Sequence, residues 1–303
     1  QWTMSPIPHL RTPDACFENL PGYPWPARYT CDLPALGGLR MHYLDEGPPD
    51  APVVWLCLHG NPAWSYLYRH MLPVFLAAGH RVLAPDLPGF GKSDKPTEIT
   101  QHSFGWHRQV LLEFVESQDL QHVHLVVQDW GGLLGLTLPM AAPERYRGLL
   151  VMNTHLATAE EPLPDGFVQW RSMCRSKPDF AISRLIARGN PQMSGAECAA
   201  YDAPFPSLAY RAATQAFPEM VPEHPGEAGI AVSRQAATFW AHHWTGRSMM
   251  ALGALDPVFT PAHMERLRHG IRGCPPAMRV AQGGHFVQEH GAAIAQEALR
   301  QMV

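Results

Sequence analysis

Short apolar, β-branched runs alternate with helix-length segments along this chain, and that rhythm leaves it few architectures. Strands are expected at Leu39–Asp45, Val53–Leu58, Arg81–Pro85, Val123–Gln128 and Leu149–Asn153. Helices are expected through Leu67–Ala77, Phe104–Ser117 and the residues after Gly131. Strand, helix, strand in succession requires crossover connections, which predicts an α/β fold with a mostly parallel sheet covered by helices on both faces.

The rhythm stops at Thr154. It resumes with a helix at Val232–Trp240, strands in S-M-M-A-L-G-A and P-A-M-R-V-A-Q, and a terminal helix through Ala292–Met302. Between them, P-L-P, K-P-D, N-P-Q and P-F-P punctuate helix-length segments with no strand signal. The expected organisation is therefore a main domain in two parts, residues 1–156 and 230–303, with residues 157–229 inserted as a helical cap. The first 30 residues, rich in proline and aromatics, are expected to wrap the surface without forming a core element.

Composition closes off several function classes. In 303 residues with a net charge of −4, lysine and arginine never cluster, so nucleic acid is not a partner. The longest uncharged apolar stretch, around Ala51–Leu58, is far short of the roughly 20 residues a membrane helix needs. The opening Q-W-T-M-S-P-I-P-H-L has neither the basic nor the apolar region of a secretory leader. Six scattered cysteines without a C-x-x-C pair suit reduced thiols in the cytoplasm. Histidine is abundant, but neither His122 with His124 nor His242 with His243 has a third metal ligand nearby in sequence.

The stretch L-V-V-Q-D-W-G-G at 125–132 carries the chemistry. An apolar strand, a turn and glycines opening a helix form the setting of a nucleophile elbow, and its apex is Asp129. Asp256 in A-L-G-A-L-D-P and His285 in Q-G-G-H-F also fall at the ends of expected strands, where open α/β sheets place their sites. The order nucleophile, acid, histidine is that of the α/β hydrolases. Taken singly, Asp129 reads as a helix N-cap and His285 as a turn residue; three in order outweigh that. Asp86 and Asp94 read as turn residues.

An aspartate nucleophile says something about the electrophile. Serine displacing a group from saturated carbon would leave an ether that water does not readily open, whereas a carboxylate leaves an ester. Asp129 is already an anion at neutral pH, which leaves His285 to activate water against that ester and Asp256 to orient the imidazole.

Five ordered segments carry a resemblance: L-H-G-N-P-A-W at 58–64, P-D-L-P-G-F-G-K-S-D-K-P at 85–96, V-Q-D-W-G-G at 127–132, D-G-F-V-Q-W at 165–170 and G-G-H-F-V-Q-E-H-G at 283–291. From Arg11 to Met302 the chain resembles the haloalkane dehalogenases of the α/β-hydrolase fold. The resemblance implies hydrolysis of small halogenated alkanes by water to an alcohol, halide and a proton, without metal or organic cofactor, by a monomer. It assigns oxyanion donors to Asn61 and Trp130, and halide binding to Trp130 and Trp170. One branch of the family places its acid where this chain has Asn153. The acid is therefore expected to be Asp256, as in the branch with two halide-binding tryptophans. An apolar pocket is expected from Phe167, Phe217, Pro218, Val221, Leu133, Val258 and Phe259. Two other readings share the fold: an epoxide hydrolase, with Tyr201 or Tyr210 protonating the opening alkoxide, and a ligand receptor without catalysis.

Overall fold

The computed structural model describes residues 6–303; residues 1–5, half of the stretch read above for a leader, lie outside the described residues. Ten strands are found among the described residues: β1 His9–Leu10, β2 Arg28–Thr30, β3 Met41–Glu46, β4 Val54–Leu58, β5 Arg81–Pro85, β6 Lys95–Pro96, β7 Val123–Val127, β8 Tyr146–Val151, β9 Arg247–Gly253 and β10 Met278–Val280. Eight form one sheet in the order β10-β9-β8-β7-β4-β5-β3-β2. The pairs from β10 through to β5 are parallel, while β3 runs antiparallel to β5 and β2 antiparallel to β3. The chain thus has an α/β-hydrolase fold with a mostly parallel sheet.

Every residue of β4 and β7 is buried, as expected of central strands covered on both faces. The covering helices include α1 Leu72–Ala77, α2 Phe104–Ser117 and α3 Trp130–Gly135. Helix α2 shows how the sequence writes such an element. Ser103 caps it by accepting from the Trp106 N–H, and Phe104, His107, Val110, Leu111, Phe114 and Val115 make one buried stripe at helical spacing. The helix expected over Leu67–Ala77 is in fact two pieces: a 3-10 turn at Ser65–Tyr68, then α1, with Pro73 in its first turn, where a missing N–H costs nothing.

Between β8 and β9 no strand occurs among the described residues. This segment carries α4 Asp165–Ser176, α5 Ile182–Arg188, α6 Gly195–Ala199, α7 Ala212–Met220 and α8 Ile230–His242. Helix α4 packs on α7, and the Arg171–Glu223 and Arg175–Glu219 ion pairs tie α4 to α7 and the residues just after it. After β9 come α9 Pro261–His269 and the terminal α10 Gly291–Met302.

The expectation for the first 30 residues needs correction. β2 extends the sheet edge, β1 pairs with β6, and Tyr23 is buried with its hydroxyl 2.7 Å from Ser65 Oγ. Proline-rich backbone is already extended, so it can add two or three ladder residues at an edge, a run too short for periodicity to reveal.

Candidate active site

The strand ends bring the three chemically suggestive side chains together. β7 ends at Val127, and Asp129 then turns the chain into α3 with φ 51° and ψ −131°, a left-handed conformation rare for a residue with a Cβ. The apex is pinned from its backbone. Its N–H donates to Asn153 O at 2.8 Å, and its carbonyl accepts from Thr154 Oγ1 at 2.6 Å and Gly132 N at 2.8 Å. Gly132 is required here because a Cβ would run into Thr154.

Both carboxylate oxygens of Asp129 are engaged, and differently. Oδ2 accepts from the backbone N–H of Asn61 at 3.0 Å, while Oδ1 lies 3.0 Å from His285 Nε2. On its other edge His285 Nδ1 lies 2.8 Å from Asp256 Oδ2. Asp256 is in turn held by Val258 N at 2.7 Å and by Asn153 Nδ2 at 3.1 Å, and Asn153 Oδ1 accepts from Gly253 N at 2.8 Å. Asn153 thus stands beside the acid as the donor that positions it.

Burial lowers the affinity of His285 for a proton, but the Asp256 and Asp129 carboxylates on either side outweigh it and raise its pKa to about 10. The imidazole is therefore an imidazolium wherever both neighbours are charged.

Asp129 and His285 open onto a cavity of about 500 Å³, within the usual range for small-molecule sites. Asn61, Trp130, Trp170, Phe167, Leu133, Pro218, Val221, Val258 and Phe259 all contribute to its wall. Phe217 does not. It is fully buried behind Trp130, ring centroids 5.0 Å apart, and is enclosed by Phe90 and His107. Neighbours on a helix diverge by about 100°, so α7 presents Pro218 to the cavity and Phe217 to the core.

Seven of the tryptophans fall into two sets by their indole N–H groups. Those of Trp55, Trp64, Trp106, Trp240 and Trp244 donate to protein acceptors. Trp130 and Trp170, both on the cavity wall, have no acceptor among the described residues. Two donors without acceptors in a largely apolar chamber suit an anion.

The two tyrosines considered as proton donors are elsewhere. Tyr201 is fully buried and donates to Glu289, itself clamped by Arg69 at 2.7 and 2.9 Å, and Tyr210 is not on the cavity wall. That cluster, with His70 and Glu197, is the one group among the described residues with metal-ligand proximity, and Arg69 donates to both of its carboxylates. Neither His122 with His124 nor His242 with His243 belongs to it. The sequence reading passed over Arg188, Asn190, Gln282 and His155, all on the cavity wall. His155 stands just beyond the strand that ends near Asn153, but no motif surrounds it.

Residues 53–292 match the family model for the alpha/beta hydrolase fold. The chain is 42% identical over 287 residues to a haloalkane dehalogenase of Mycolicibacterium paratuberculosis, covering 92% of this chain and 93% of the relative. This chain belongs to the haloalkane dehalogenase family. A second member, from Psychrobacter cryohalolentis, is 40% identical over the same shares. The tetrameric structure of a haloalkane dehalogenase from Paraglaciecola agarilytica superimposes with a TM-score of 0.96 at 43% identity, covering 98% of this chain and 99% of that one. The chain is thus a hydrolase acting on carbon–halide bonds. With Tyr201 and Tyr210 away from the cavity, a dehalogenase needs no proton donor that it lacks, whereas the epoxide hydrolase reading loses both of its candidates.

Proposed function

We propose that Asp129 displaces halide from a haloalkane in a two-step hydrolysis, with Asp256 as the acid and Trp130 and Trp170 as the halide site, as in the two-tryptophan branch. The observation that carries this is the division of labour at the Asp129 carboxylate. Oδ2 already sits on the Asn61 N–H, and Oδ1 carries no backbone donor and is the oxygen left to attack.

In the first step the Oδ1–carbon bond forms as the carbon–halogen bond breaks, and the departing anion is received by the Trp130 and Trp170 indole N–H groups. Their stabilisation grows as charge grows on the halogen, which is what lowers a barrier rather than merely improving binding. The product is an alkyl ester of Asp129.

Esterification removes one of the two charges that hold the proton on His285. Its pKa falls, and the imidazole releases its proton to become a base only once there is an ester to hydrolyse. His285 then takes a proton from water as the water oxygen adds to the ester carbonyl. The oxyanion forms on Oδ2, which already accepts from the Asn61 N–H, and the Trp130 N–H, in the first turn of α3, where N–H groups are left unpaired, is the second donor of this reading. Collapse breaks the Cγ–Oδ1 bond as the His285 imidazolium protonates the departing alkoxide, and the carboxylic acid so formed returns its proton to His285, so that halide and the one proton His285 gave to solvent are released.

Residues 157–229 act as the cap that closes the cavity over the strand ends, between the two parts of the main domain at 1–156 and 230–303. The cytoplasm and the monomeric state are further parts of this reading, with the Paraglaciecola tetramer as the competing assembly for a sedimentation measurement.

The test is the His285→Gln variant incubated with 1-bromobutane. One halide per enzyme should be released, and the peptide bearing Asp129 should gain a butyl group by mass spectrometry. An unmodified peptide beside stoichiometric halide release would refute covalent catalysis at Asp129.

A further inference from the structure

His155 follows directly on Thr154, whose hydroxyl holds the Asp129 carbonyl, and its ring forms part of the cavity wall. One edge of that ring is accounted for. Thr154 O can only accept, so His263 Nε2, 3.1 Å away, carries a proton, and the same Nε2 lies 3.4 Å from His155 Nδ1. His155 Nδ1 is therefore the acceptor of the pair. A neutral imidazole carries a single N–H, which places it on Nε2. Burial, with His263 beside it, keeps this ring uncharged by pushing its pKa down to about 3.

Nε2 has no acceptor among the described residues. His155 contributes to the walls of both the main cavity and a second one of about 340 Å³, and His263, on the second wall, lies on the Nδ1 side of its ring. The ring lies within 5° of parallel to Phe259 with centroids 6.1 Å apart, and Phe259 in turn lies 5.7 Å from the His285 ring. The two free indoles have other aromatic neighbours, Trp130 packing on Phe217 and Trp170 on Phe180.

We infer that His155 reads an oxygen atom in the substrate, its Nε2–H donating to the ether or carbonyl oxygen of an oxygen-bearing haloalkane. The inference rests on the dehalogenase reading of the cavity. Carbon-bound halogen is a poor acceptor and a hydrocarbon chain is none, so an alkane of the same shape strips water from this N–H without replacing the bond. An ether oxygen replaces it.

The experiment compares 1-bromopentane with two bromoethers of the same chain length, 2-bromoethyl ethyl ether and 3-bromopropyl methyl ether, in the wild type, His155→Leu and His155→Gln. The readout is the ratio of kcat/KM for ether over alkane, in which the intrinsic reactivities cancel between variants. For the better ether, the leucine variant should lower this ratio by about 3- to 10-fold, the range of a neutral hydrogen bond, with 1-bromopentane turnover retained and the glutamine variant in between. An unchanged ratio, or an equal fall on all three substrates, overturns the inference while leaving the dehalogenase reading intact. No halide from any substrate overturns both. The wild type gives an independent reading if the leucine variant does not fold: in 15N-histidine-labelled protein, the His155 Nε2 resonance should respond differently to diethyl ether, which replaces the bond to water, and to pentane, which only removes it. An identical response to the two refutes the assignment.

Discussion

Gly60 offers a sharp perturbation of the proposed nucleophile that leaves every catalytic side chain in the sequence. A Cβ built on Gly60 would lie 2.7 Å from Asp129 Cγ and closer still to Oδ2, where ordinary contacts begin at 3.4 Å. Gly60 is not in the left-handed region, so alanine fits its backbone, and the collision is with the whole Asp129 side chain, its Cβ lying nearer than its Cγ. In Gly60→Ala the Asp129 carboxylate must retreat by roughly 1 Å, a displacement that costs on the order of 10²-fold when it falls on a reacting group. The same retreat breaks the 3.0 Å contacts with Asn61 N and His285 Nε2, and a lost oxyanion donor alone is worth about 10²–10³-fold. We expect kcat/KM for 1,2-dibromoethane, followed by halide release, to fall by at least about 100-fold. Thermal unfolding by circular dichroism should stay cooperative at a lowered melting temperature, since the Cβ contact also presses on the Asp129 turn. A Gly60→Ala enzyme with wild-type kcat/KM would show that the Asp129 position is not what limits the reaction.

Replacing Trp170 by Phe keeps an aromatic ring on the cavity wall and removes only the N–H. A hydrogen bond to a charged group is worth about 1.5–3 kcal/mol, so kcat/KM should drop roughly 10- to 100-fold with little change in melting temperature, and an unchanged kcat/KM would remove Trp170 from the halide site. Stability should fall on acidification. Burial lowers the pKa of His102 to about 4 and that of His155 to about 3, whereas an unfolded histidine titrates near 6.5. The unfolded chain therefore binds more protons below pH 6.5. The stability these neutral histidines contribute is complete above pH 6.5 and is lost as pH falls toward 4, by on the order of 2 kcal/mol each at pH 5. Urea unfolding at pH 7.5 and 5.0 measures this; equal free energies at the two values would mean the histidines are not held neutral.

What the sequence made legible was the sheet and the residues at its strand ends. Continuous apolar runs can only be central strands, and the D-W-G-G, A-L-D-P and G-G-H-F segments sit where those strands stop, so Asp129, Asp256 and His285 could be named before any contact was known. The helical segment was less readable, because a one-residue change of direction on a helix decides between cavity and core. Pro218 and Phe217 fell on opposite sides of that division. Tyr201 looked like a proton donor until its hydroxyl was found spent on Glu289, a residue 88 positions away. The edge strand Arg28–Thr30 escaped because three residues are too few to show a period. His155 escaped because an isolated histidine carries no motif; its meaning depends on His263, brought to it by α9.

The left-handed backbone at Asp129 sets a conflict at that one position. Holding a residue with a Cβ there costs about 1–3 kcal/mol, in every molecule and whether or not substrate is present. Glycine would relieve it and, on the mechanism proposed above, abolish the reaction. On that mechanism stability and turnover favour different residues at 129, and aspartate there trades the first for the second.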